Sequence, residues 1–143
     1  MQIEAADETP VGRLLDLSLR LNMLSQRMAR LYLLAYAGDR SQSVLTDLQQ
    51  DRLEFIAGLY ELETARENSP DSREAISLAK TQWLFFVQAI GTSRGGERQA
   101  KNVATSSERI AQMLNEVSAH YADSSAPGQL ATDQGKLAAR QKK

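Results

Sequence analysis

The chain has 143 residues, about the modal size of a single domain, and carries 17 basic against 18 acidic side chains for a net charge of −1. So close a balance gives no global field to recruit nucleic acid or an anionic membrane face. Cysteine is absent, which excludes disulfides, thiol nucleophiles and thiolate metal sites while leaving the redox compartment open.

Residues 1–8 are polar and acidic without a period, and they predict a disordered start with neither the basic nor the apolar region of a signal peptide. Thr9-Pro10 then supplies a hydroxyl cap and a proline at the first helical position. Helix one is predicted from there to about Ala37, with Gly38 as the residue that ends it. Its apolar seam is Leu14, Leu17, Leu21, Leu24, Met28, Leu31 and Ala35, at spacings of three and four, the pattern of a bundle helix. Beside that seam stand Arg13, Arg20 and Arg27, seven residues apart on one half-wet edge. Asp16 is within helical reach of Arg13 and Arg20, whereas Arg27 has no carboxylate three or four residues away.

Asp39-Arg40-Ser41-Gln42 fits a capping pattern and restarts the chain after a turn short enough to make helix two antiparallel to helix one. Helix two is predicted over Ser41 to Glu67 with the stripe Leu45, Leu48, Phe55, Leu59 and Leu62, and Arg52 stands where the repeat wants an apolar residue. Ser69-Pro70 opens helix three, which runs to about Ile90 on Ile76, Ala79, Trp83, Phe86 and Ile90, thickened by Leu84, Phe85 and Val87. Gly91 and the stretch Thr92 to Gly96 form the longest connection. Helix four is placed from about Glu97 on Val103, Ile110, Leu114, Val117 and Tyr121, although Thr105-Ser106-Ser107-Glu108 is itself a capping box that competes as its start. From Asp123 onward small and polar residues replace large apolar ones, the composition of a disordered tail.

The reading is therefore all-α, an antiparallel up-down-up-down four-helix bundle over residues 9–122 between a disordered start at 1–8 and a disordered tail at 123–143. No window approaches about 18 consecutive apolar residues, so no membrane span is expected.

Chemistry-bearing patterns are few. The glutamates and Glu-x-x-His pairs of a di-iron bundle are missing, and the single His120, with Glu116 one turn earlier, suits the negative end of a helix better than a metal. No metal or cofactor is expected, and without a second classical base neither is catalysis. Trp83, Phe85 and Phe86 read as core filling in preference to a ligand cage. Tyr32 and Tyr36 either cover a flank or gate one end of the bundle. The arginine row says most, since a half-buried guanidinium keeps its charge and needs an acceptor: an incoming anion, or a carboxylate from another helix such as Glu54 or Glu61.

At Asn22-Met23-Leu24-Ser25-Gln26-Arg27-Met28-Ala29-Arg30 the sequence resembles the first-helix signature of the PilJ-type sensory domain, found in type IV pilus chemotaxis transducers and related to the input domain of nitrate and nitrite sensor kinases. Thr81 to Phe86 and Val103 to Ile110 also resemble stretches of small PilJ-type proteins. The resemblance implies a non-enzymatic, periplasmic or otherwise extracytoplasmic four-helix module, often dimeric through its first helix, with nitrate or nitrite held there. It places Arg27 at a position that contacts the anion, while Asn22 stands where the family carries another arginine and Arg20 lies two residues upstream.

Two functions follow as expectations. In the first, a free-standing sensory bundle binds a small anion or polar solute at Arg27, with Arg20, Asn22 and Gln26 as neighbours. In a homodimer through helix one, that anion would cancel the repulsion between two Arg27 side chains. In the second, helix one docks a partner protein and no solute is bound.

Overall fold

The computed structural model describes residues 9–38, 41–91 and 96–125, and these form four α-helices: α1 (Pro10–Tyr36), α2 (Gln42–Thr64), α3 (Pro70–Gly91) and α4 (Gly96–Ser125). Among the described residues no helix is long and apolar enough to cross a membrane.

The helix ends follow local chemistry. Thr9 accepts the Gly12 amide at 2.9 Å with Pro10 behind it, and α1 closes on Gly38, whose φ of 115° is the left-handed backbone that glycine tolerates. Ser41 caps α2 by accepting from the Val44 amide. The expected capping pattern began at Asp39, which with Arg40 lies outside the described residues. Ser69 and Ser72 cap α3 reciprocally, each hydroxyl accepting from the other's amide, at 3.1 and 2.9 Å. α4 starts at Gly96 and runs unbroken through Thr105-Ser106-Ser107-Glu108, so the competing capping box lies inside the helix. It ends at Ser125, three residues into the stretch expected to be a tail, the remainder of which lies outside the described residues.

The core takes Leu14, Leu21, Leu24 and Met28 from α1, Phe55, Leu59 and Leu62 from α2, Ile76, Ala79, Trp83 and Phe86 from α3, and the whole predicted stripe of α4. Trp83 stacks between Phe55 and Phe86 at centroid distances of 4.3 and 5.7 Å, which makes these rings packing elements rather than a cage. Three expected core residues face outward instead: Leu45 on α2, and Leu84 and Phe85 on α3. The apolar run of α3 is wider than the face its neighbours cover, and on α2 the buried position is Val44.

Helix spacing follows side-chain size. α1 meets α4 through Ser18, Asn22 and Ser25, a second stripe of small and polar residues set beside the leucine seam, and these let the two backbones approach. α2 and α3, separated by the Phe55–Trp83 stack, share a slighter contact than α1 with α2, α1 with α4 or α3 with α4. α1 and α2 close on Gly58, where an added Cβ would lie 2.6 Å from Leu21 Cδ2.

Polar links fix which levels meet. Ser118 pairs with Ser18 at 2.7 Å, Asn115 accepts from Asn22 at 2.7 Å, and Ser107 donates to the Ser25 carbonyl at 3.2 Å, so numbers climb on α1 as they fall on α4. At one end Asn68 ties three helices: its amide donates to the Leu62 and Ala65 carbonyls that close α2. Its oxygen accepts from Ser72 on α3 and from the Tyr121 hydroxyl on α4, the latter at 2.6 Å.

Candidate functional site

Residues seven apart return to the same edge of a helix, so Arg13, Arg20 and Arg27 form a row along α1. On α2 the acids Asp47, Glu54 and Glu61 are also seven apart, with Asp51 one turn from the first. The two rows meet as a ladder. Arg13 donates to Glu61, Arg20 grips Glu54 with Nε at 2.6 Å and Nη2 at 3.0 Å, and Arg27 spans Asp47 at 3.2 Å and Asp51 at 3.3 Å. The first two rungs are largely exposed, and pairs of that kind contribute about 0–1 kcal/mol each, so they fix register more than they stabilise. The Arg20 guanidinium holds the Glu54 carboxyl below its usual range, chiefly through their hydrogen bond.

The third rung differs because one acid is buried. Asp51 is 4 % exposed; its Oδ1 meets Arg27, while its Oδ2 is enclosed with no hydrogen-bond partner. Burial pushes the carboxyl above its usual pKa, Arg27 pulls it back, and Glu54 and Asp47 push it up again. Arg27 thus meets an acid from another helix, one of the two acceptors its pattern allowed. The partners are Asp47 and Asp51, while Glu54 and Glu61 serve Arg20 and Arg13.

The four residues expected around an anion divide between two sides of α1. Arg20 and Arg27 turn to α2. Asn22 turns to α4, where it is buried and donates to the Ala111 carbonyl at 3.1 Å and to Asn115 Oδ1, while Gln26 donates to Asn22 Oδ1 at 2.6 Å. No family model, no curated protein and no solved structure matches the chain.

Between those two committed sides runs the outward ridge of α1. Leu19, Met23 and Leu34 are each about half exposed there, and Asp16 and Arg30 stand on the same ridge with no ion pair to each other or to any described residue. Glu54 and Glu61 were foreseen as acceptors, whereas Asp47, Asp51, the serine seam and this ridge were not. Asp47 was recoverable, because a heptad of acids at 47, 54 and 61 mirrors the heptad of cations at 13, 20 and 27.

Proposed function

We propose that this chain is a non-enzymatic interaction module, built as an up-down-up-down bundle and by its resemblance working outside the inner membrane, that docks through α1 onto a second copy of itself. Support for the helix order comes from the numbers on α2 and α4, which fall as those on α1 rise. The observation that carries the docking reading is the ridge: half-exposed Leu19, Met23 and Leu34 with two unpaired opposite charges.

Those charges favour one partner geometry. Asp16 lies seven residues before Met23 and Arg30 seven after it. Two α1 helices crossing antiparallel at Met23 bring Asp16 of each copy level with Arg30 of the other, the self-complementarity a two-fold interface requires. Gly12 and Leu34, each eleven residues from Met23, fall level in the same arrangement, a large side chain over a position that has none.

The small-anion reading at Arg27 carries a cost this one avoids. A guest there competes with Asp47 and Asp51 for the guanidinium, and one that drew Arg27 away would leave an unpaired carboxylate buried at Asp51.

Sedimentation equilibrium tests the proposal. The wild-type chain should reach a dimer with rising concentration, and Met23→Glu, which sets two carboxylates together at the crossing, should stay monomeric, with a melting curve unchanged at dilutions where wild type is itself monomeric. Asp16→Arg should weaken the dimer and the double variant Asp16→Arg with Arg30→Asp should restore it. A wild-type chain that is monomeric up to about 1 mM, beyond which association is weaker than about −4 kcal/mol, would sink the reading.

A further inference from the structure

A cleft of about 470 Å³ opens between the second half of α3 and the first half of α4, away from both the ladder and the ridge. Clefts of a few hundred Å³ are the size that small-molecule sites occupy. Its chemistry is one-sided: Arg109 supplies a guanidinium, Asn102, Thr105 and Ser106 supply an amide and two hydroxyls, and no acidic side chain lines it among the described residues. Arg109 has no salt bridge to any described residue, in contrast to Arg13, Arg20 and Arg27.

Phe85 forms the apolar wall. A phenylalanine ring is normally buried, yet this one is 52 % exposed at the lip of the cleft, one residue from the fully buried Phe86. The base is already fixed before anything binds. Gln99 donates its side-chain amide to the Ala89 carbonyl at 2.6 Å, closing the end of α3 and orienting its own amide oxygen as an acceptor.

We propose that this cleft binds a small aromatic carboxylate. Arg109 takes the carboxylate, Phe85 stacks on the ring, and the hydroxyls and amides of Thr105, Ser106 and Asn102 set its orientation. A bare inorganic anion would use the cation and leave most of the volume and the ring unused, so a planar body attached to the charge is what the lining selects. Unlike Arg27, Arg109 accepts this ligand without exposing a buried acid, because no carboxylate has to be displaced. The inference does not depend on the pairing of α1.

The test uses the full chain with benzoate, nicotinate and indole-3-carboxylate as probes, followed by backbone amide chemical shifts and titration calorimetry. At least one probe should move the resonances of Phe85, Asn102, Thr105, Ser106 and Arg109 as a group. Benzamide and acetate, which lack the charge and the ring respectively, should bind at least about tenfold more weakly than benzoate, a difference of about 1.4 kcal/mol. Arg109→Gln and Phe85→Ala, both at exposed positions, should keep the wild-type melting curve and lose about tenfold or more in affinity. Arg27→Gln should bind as wild type does. If no probe moves those resonances, or if Arg109→Gln binds as tightly as wild type, the cleft is not this site. Binding that disappears in Arg27→Gln instead would move the anion to the ladder and overturn the assignment.

Discussion

Asp51 is the residue at which the ladder is least settled. Its carboxyl is buried with one oxygen unmatched, and burial raises its pKa above the usual carboxylate value despite Arg27. For a carboxyl raised in the folded state, folding binds protons, so its contribution is most favourable below the unfolded pKa and is lost as pH rises through the folded one. Glu54 has the opposite sign: its lowered pKa adds stability above the unfolded value that is lost as pH falls. Urea unfolding of wild type and Asp51→Asn between about pH 3 and about pH 7 should therefore show wild type losing ground to the variant as pH rises. A difference that is flat with pH, or that grows in favour of wild type, would show that Arg27 outweighs burial. At this scale the sequence was half legible. It marked Arg27 as a cation in need of an acceptor from outside its own helix, but Arg13 and Arg20, for which Asp16 lay within helical reach, take acids of α2 as well. It could not choose between an anion and an acid of α2, since that depends on the interhelical register that sets Asp47 and Asp51, rather than Glu54, level with Arg27.

Among the elements, α1 has the most demands upon it: a leucine seam to the core, cations to α2, small polar residues to α4 and an uncovered ridge. The seam, the caps at Thr9 and Ser69, and the stripe of α4 were all readable from apolar period and cap chemistry, which act within a few residues. The α1–α4 contact was not, because serines at 18, 25, 107 and 118 look like surface until another helix lies against them. Its energetics can be separated. The Ser18 hydroxyl donates to the Leu15 carbonyl at 2.8 Å, so in the buried Ser18–Ser118 pair it is Ser118 that donates. Ser18→Ala leaves the Ser118 hydroxyl buried without an acceptor and should cost about 1–3 kcal/mol, whereas the double alanine variant should cost less than the two single changes added together. Thermal unfolding of the four proteins in the cycle measures this, and strict additivity would mean that the two hydroxyls are not coupled.

For the molecule as a whole, the end built around Asn68 decides how firmly the four helices act as one body. There one side chain closes α2, receives the reciprocal cap of α3 and accepts the Tyr121 hydroxyl of α4. Burial, with a smaller push from Glu67, raises the Tyr121 pKa to about 12. A phenol held neutral in this way lends stability below its unfolded pKa of about 10 that is lost as pH climbs toward 12. Tyr121→Phe should cost about 1 kcal/mol at neutral pH and should blunt the alkaline fall in melting temperature between about pH 10 and about pH 12. An alkaline limb identical to wild type would assign that fall to other groups.

The α1–α2 ladder, finally, has a consequence for descent. Its steps pair position 13 with 61, 20 with 54 and 27 with 47, so a change of sign at one position strands its mate on the opposite helix. Lineages that keep this architecture are thus expected to exchange such positions together, Arg20 for an acid only where Glu54 becomes a base. Correlated replacement across that diagonal is a hereditary trace of the geometry, recoverable from sequences alone.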